Sequence, residues 1–257
     1  MNQHPRQPAG QDPKPTSYGA APVHSDREAI EQEWERVRVR REEREVLQRA
    51  RRKKQRIWLL CGLGAVVLLA AVGTGIGFLC QHWELRQRQE EPLPSWIDPQ
   101  ILDLDGDARD GAPLEKVRDI AIHYVGNPGT TAMQNRNYFN LPGVAVSSHF
   151  IVGLDGEIVQ CVPLDEKSAA TNERNKDTIS VEVCHPDETG KFTDTTYQAL
   201  VRLTAWLCWR YDLDETHLIR HYDVTGKKCP LYYVEHEEAW EQFKTDVGAA
   251  LDAGIYK

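Results

Sequence analysis

The sequence has no close-spaced cysteines. Its six, Cys61, Cys80, Cys161, Cys184, Cys208 and Cys229, fall in no tight pattern, which excludes a disulfide framework as the organiser of the fold. Charge is missing altogether from residues 57–80, IWLLCGLGAVVLLAAVGTGIGFLC, a run of 24 positions. At ~1.5 Å per residue such a helix spans about 36 Å, enough for the ~30 Å hydrocarbon layer of a membrane with some tilt. A buried core helix of that length would have to be apolar on every face, and the glycines it contains are better tolerated in lipid than in a soluble helix. A small-x-small cleavage site is also lacking, and the 56 residues before the run are too many for a signal peptide. Phe78 and Leu79 before Cys80 exclude a lipoprotein box. The expectation is one transmembrane helix over 57–80.

Positive charge is scarce beyond that run. Residues 81–257 carry 17 Lys and Arg against 30 Asp and Glu, whereas residues 1–56 carry 14 against 9. An acidic C-terminal part argues against nucleic acid as a partner. The flanks set the expected orientation: seven Lys and Arg in residues 42–56 against two in 81–95 put the N-terminus in the cytoplasm and the C-terminal part outside the cell membrane.

Residues 1–26 lack apolar periodicity and are rich in Pro, Gln, Gly and Ser, the composition of an unstructured tail. Residues 27–56 lack Pro and Gly and mix charges at helical spacing, as a charged juxtamembrane helix does. Residues 81–116, polar and punctuated by Pro92, Pro94, Pro99 and Pro113, read as a linker. The DLDGDARDG stretch within it imitates a calcium loop, but Gly106 stands at the fourth position and Leu114 at the twelfth, so it fails the pattern.

Residues 117–257 read as one domain. Strands are expected at 119–124, 149–153, 158–162, 179–184 and 218–222, with a hairpin turn at Asp155-Gly156. Helices are expected at 130–141, from Thr193 and Asp194 through Tyr211, and at 237–251. In 179–184, Ile179, Val181 and Val183 share one face, while Ser180, Glu182 and Cys184 share the other. Interleaved strands and helices point to an α/β fold, a sheet flanked by helices.

Within that domain the residues capable of chemistry are few. His221 ends a short apolar run, and Cys229 follows Lys227 and Lys228 in a glycine-containing loop closed by Pro230. His123 lies on another strand, where the default reading of a histidine is a hydrogen-bonded structural residue. Glu182, flanked by Val181 and Val183, is harder to dismiss, because a carboxylate in a central strand has to be paired or desolvated. Two imidazoles, a thiol and a carboxylate from separate elements have the makings of a zinc hydrolase: three ligands, one open position, and a carboxylate outside the coordination sphere as base. The His-x7-Cys spacing matches no zinc finger, so spacing by itself leaves the matter open. A Cys184–His185 nucleophile pair is disfavoured, since adjacent strand residues face opposite ways.

The stretches IAIHYVGNPGTT, SSHFIVGLDGEIVQCVPLDE, TISVEVCHPDETGKFTD and HYDVTGKKCP closely resemble the N-acetylmuramoyl-L-alanine amidase family. This is the zinc amidase group that includes the phage T7-type lysozyme and the catalytic peptidoglycan-recognition proteins. The likeness is strongest to cell-wall hydrolases of Gram-positive bacteria, and it covers about residues 96–251. It implies a mixed central β-sheet flanked by helices, with Zn2+ held by His123, His221 and Cys229. It also implies Glu182 as general base and Lys227 as the cation that stabilises the oxyanion. At the position where the phage enzyme has a catalytic tyrosine, this chain has Ser148, which leaves more of the work to Glu182. His149 is read as structural or as supporting a ligand, Asn127 and Asn172 as candidate substrate contacts, Lys228 as solvated, and Cys161, Cys184 and Cys208 as core residues.

The function so implied is hydrolysis of the amide between N-acetylmuramic acid and L-alanine in peptidoglycan, by a single-pass membrane protein with an extracellular catalytic domain. The alternatives are a non-catalytic peptidoglycan-binding module of the same fold and a cytoplasmic amidase acting on soluble muropeptides, which requires the opposite topology.

Overall fold

A computed structural model describes residues 24–104 and 107–257. Residues 1–23 of the expected unstructured tail, and Gly106 of the calcium-loop imitation, lie outside the described residues. The chain divides into two compact units, Met1–Gly75 and Ile76–Lys257.

Helix α1 (His24–Glu90) begins inside the segment read as unstructured. In the first unit its charged stretch carries exposed ion pairs such as Arg38–Glu35 and Arg49–Glu45; exposed pairs of this kind add little stability. The central stretch is long and apolar enough to cross a membrane. Its large side chains, among them Trp58, Leu59, Leu69 and Phe78, are exposed.

In the second unit six strands form one sheet: β1 (Ile97–Pro99), β2 (Asp119–Ile122), β3 (Phe150–Val152), β4 (Ile158–Gln160), β5 (Thr178–Val183) and β6 (Leu218–Arg220). Their order is β1-β4-β3-β5-β2-β6. Only β3 and β4 run antiparallel, joined by the Asp155-Gly156 turn; all other pairs are parallel, so the sheet is mixed. Gly156 has φ +82°, which a side chain there would resist.

Strand alternation builds two cores. Ile120, Ile122, Phe150, Val152, Ile179, Val181 and Val183 face one way, against Leu200, Leu203 and Leu207 of α3 (Asp194–Tyr211) and Trp240, Phe243 and Val247 of α6 (Glu237–Ala253). Thr193 caps α3 by accepting from the Thr196 amide. On the opposite face Ile151, Val159, Cys161 and Cys184 pack with Ala132 and Phe139 of α2 (Ala132–Phe139). The expected mixed sheet flanked by helices is what the chain forms.

The linker expected over 81–116 requires correction. Helix α1 runs on to Glu90, and β1 is an edge strand of the sheet. Leu102 and Ala108 are buried, and Arg109 clasps Glu166 through two hydrogen bonds of 2.6 and 2.7 Å. Pro99 fits because Gln100 is the residue donating to Gln160, so the proline nitrogen faces away from the sheet. Strand β6 is also shorter than expected. It stops at Arg220, where the Asp223 carboxylate accepts from the Arg220 amide at 2.8 Å and starts α4 (His221–Thr225). A further short helix, α5 (Leu231–Glu235), precedes α6.

Candidate metal centre and cleft

The parallel strands β5, β2 and β6 are neighbours and end on the same side of the sheet, where open α/β sheets form their binding crevices. His123 is the first residue after β2, His221 the first after β6, and Glu182 sits next to the end of β5. Cys229 comes back to the same point, its amide bonded to the Lys227 carbonyl and its own carbonyl accepting from the Tyr222 amide. One ligand-capable atom from each of His123, His221 and Cys229 lies within 4.8 Å of the others, and all three residues are buried. Cys229 Sγ is 3.8 Å from His123 Nδ1.

Burial sets the protonation states. It pushes the His123 imidazole down to about 3, helped by the His221 and Lys227 charges, and it lowers His221, again with Lys227 contributing. Both rings are therefore neutral near pH 7, the form that ligates metals. Burial also pushes the Cys229 thiol up to about 12, with Glu182 adding to the rise. The thiol keeps its proton until a cation compensates the charge, so ligation here would release a proton. The donor set of two nitrogens and one sulfur within mutual reach is one that zinc accepts readily.

Glu182 lies beside this cluster. Its Oε2 is buried and has no hydrogen-bond partner among the described residues. Burial pushes the carboxyl up to about 8, against the downward pull of Lys227. An orphaned buried carboxylate oxygen at a cluster of metal-ligand type is otherwise a pure cost to the fold. Lys227 is exposed on the rim, and its charge is felt at Glu182, Cys229 and both histidines. The cleft above has a volume of about 1500 Å³, and its lining includes Asn127, Gln134, Tyr138, Asn172, Glu182 and Lys227.

Other residues singled out in the sequence lie elsewhere. His149 is fully buried and fully used: Nδ1 accepts from the Ser180 amide at 3.0 Å, and Nε2 is 2.9 Å from the Glu166 carbonyl. Ser148 donates to the Phe150 carbonyl at 2.8 Å. Lys228 pairs with Glu235 at 2.8 Å on the surface. Cys184 accepts from Asn135, and His185 stacks on Tyr124, so the two form no dyad. Cys161, Cys184 and Cys208 are core residues, each held by burial near pKa 12. The sequence reading missed Thr171, whose hydroxyl lies 3.2 Å from His123 Nε2. Asn172, read as a substrate contact, turns its amide oxygen to His221 Nε2 at 3.0 Å. The only signal for either was a polar run, TNERN, between two strands.

The family model described as N-acetylmuramoyl-L-alanine amidase matches residues 113–231. Two similar relatives are N-acetylmuramoyl-L-alanine amidase CwlL of Bacillus licheniformis, 31% identical over 160 residues, and N-acetylmuramoyl-L-alanine amidase BlyA of Bacillus subtilis (strain 168), 29% identical over 164. Each alignment covers 56% of this chain and 44% of the relative, so the chain spans less than half the length of either. Among solved structures, the catalytic domain of XlyA superimposes with a TM-score of 0.52 at 23% identity, covering 59% of this chain and 99% of that one. A mutant endolysin from Bacillus subtilis gives 0.51 at 23%, covering 59% and 98%. These structural likenesses establish the fold. Residues 113–231 are thus similar to the N-acetylmuramoyl-L-alanine amidase family, in a domain that shares the fold of these solved structures.

Proposed function

We propose that this protein is a membrane-anchored, zinc-dependent N-acetylmuramoyl-L-alanine amidase that cleaves the amide between N-acetylmuramic acid and L-alanine in peptidoglycan. The observation that carries the reading is the cluster of His123, His221 and Cys229, with ligand atoms within 4.8 Å of one another, at a deep cleft beside an orphaned Glu182 oxygen.

His123, His221 and Cys229 would hold the zinc, which when bound would supply Lewis acidity toward the scissile carbonyl and the attacking water. Glu182 takes the proton from that water at Oε2, the oxygen with no competing donor. Its raised basicity suits general-base work near neutral pH, and the same group then delivers the proton to the departing L-alanine nitrogen. Lys227 sets a positive charge at the rim where the carbonyl oxygen gains negative charge. Ser148 has no part in this, its hydroxyl being spent on the Phe150 carbonyl. Asn127, Gln134 and Tyr138 line the cleft and offer amide and aromatic contacts to the muramoyl-peptide.

The anchor reading rests on the exposed apolar stretch of α1 and on the excess of basic residues before it. A contiguous apolar surface of that size is costly in water and free of cost in lipid. The basic flank belongs on the cytoplasmic side, which puts the catalytic domain outside.

Two measurements test the proposal. The full chain in detergent, incubated with purified peptidoglycan, should release material whose mass spectrum shows free muramoyl carboxyls and free L-alanine amino termini. Products cut only elsewhere, or none, would refute the activity. A phosphatase fused after Lys257 should be active in cells, because that enzyme matures only outside the cytoplasm; a silent fusion that is nonetheless made at full level would reverse the topology.

A further inference from the structure

The two imidazoles of the candidate metal centre come from different strands, yet each is held from behind by the same short turn. His123 Nε2 lies 3.2 Å from Thr171 Oγ1, and His221 Nε2 lies 3.0 Å from Asn172 Oδ1. An amide oxygen only accepts, so Nε2 is the protonated nitrogen of His221 and its lone pair sits on Nδ1. His123 turns Nδ1 toward the Cys229 sulfur. Its Nε2–H, donated to the Thr171 hydroxyl, leaves that lone pair facing the same point. Adjacent residues thus select the tautomer and the aim of both rings.

The turn is itself held firmly. Asn175 Oδ1 accepts from the Ala170 and Thr171 amides at 3.1 and 2.6 Å. Arg174 pairs with Asp177 at 2.7 Å and with Asp119. Asp119 opens β2 and His123 follows its end, so the turn grips this strand at both ends. Asn172 has φ +54°, a left-handed conformation that few non-glycine residues adopt and that persists only where the surroundings enforce it. That conformation presents the Asn172 side chain to His221.

We propose that Thr171 and Asn172 are positioning residues that orient the two imidazole ligands and so set the affinity of the site for its metal. The inference rests on the zinc reading above. A hydrogen-bond partner behind a ligating histidine fixes the ring and raises its basicity, and its loss typically costs ~10–100-fold in metal affinity.

The test uses the full chain in detergent, with zinc affinity read by competition against a chromogenic chelator and ligand geometry by the visible spectrum of the cobalt-substituted protein. Thr171→Val removes the hydroxyl at nearly constant shape. Asn172→Gly removes the amide while tolerating the positive φ. Each should bind zinc roughly 10–100-fold more weakly and shift the cobalt bands, with the melting temperature of the metal-free protein close to wild type. Thr171→Ser and Asn172→Asp, which keep an acceptor oxygen, should restore affinity and spectrum. Wild-type affinity and spectrum in Thr171→Val and Asn172→Gly would overturn the inference, as would losses that track the metal-free melting temperature and are not rescued. A wild-type chain that binds no zinc would instead overturn the zinc reading itself.

Discussion

Cys229→Ala should yield a protein that retains no zinc through dialysis, where the wild type retains about one ion per chain. Two neutral imidazoles remain in the variant, but the only donor able to become an anion within the 4.8 Å cluster is gone. The loss of a ligand should exceed the ~10–100-fold penalty of losing a partner behind a ligand. Peptidoglycan hydrolysis should fall by at least about 10³-fold, because one missing oxyanion donor alone is commonly worth ~10²–10³. Added zinc should raise the melting temperature of the wild type by mass action and leave that of the variant unchanged. Cys208→Ala serves as the contrast: Cys208 is a core residue whose sulfur faces the Asp214 carbonyl, and its zinc content should match wild type. Full zinc retention and full activity in Cys229→Ala would remove this residue from the metal centre.

Glu182→Gln should separate catalysis from stability. Gln is nearly isosteric with Glu and cannot take a proton from water, so the turnover number should drop by roughly 10²–10⁴, the usual contribution of a positioned general base. Zinc content should be unaffected. The metal-free protein should meanwhile gain stability, with a pH dependence whose sign follows from burial. The folded-state pKa of Glu182 is raised from 4.5 to about 8. Between those values the unfolded chain loses this proton while the folded chain keeps it, so stability falls as pH rises through that window. A glutamine does not titrate. The melting temperature of metal-free Glu182→Gln should therefore exceed wild type by more at pH 8 than at pH 5. An equal difference at both pH values would mean that Glu182 is not desolvated, and unchanged turnover would deny it the role of base.

The parts of this molecule that were legible in the sequence are those governed by local rules. Alternation in 179–184 sorted Ile179, Val181 and Val183 to one core, and the Thr193 cap and Leu200, Leu203 and Leu207 stripe of α3 appear where their spacing puts them. What escaped was decided by residues distant in the chain. Strand β1 holds a proline and only three residues, and it counts as a strand because β4 lies beside it. The end of β6 is dictated by the Asp223 carboxylate, which pulls the chain into a helix at His221. Glu182 lies on a buried strand and His149 immediately before one, and a reading by alternation treats them alike. The difference is tertiary: Ser180 and Glu166 satisfy the imidazole of His149, whereas no donor among the described residues reaches Oε2 of Glu182. Thr171 and Asn172 belong to the same class, since a polar turn reveals its purpose only once the two histidines stand over it.

The placement of β6 at the edge of the sheet has a consequence for the order of folding. Of all the strands this one pairs only with β2, and it and the loop after it bring His221 and Cys229 to a histidine from much earlier in the chain. Cys229 and His123 are 106 residues apart. The entropy of closing so long a loop must be overcome before the three residues can stand around one point. In a zinc finger the ligands are close in sequence and the ion drives folding. On the zinc reading, no nascent fragment ending before Cys229 contains the whole site, and the pairing of β6 with β2 is what brings His221 and Cys229 to His123 so that one ion could meet all three.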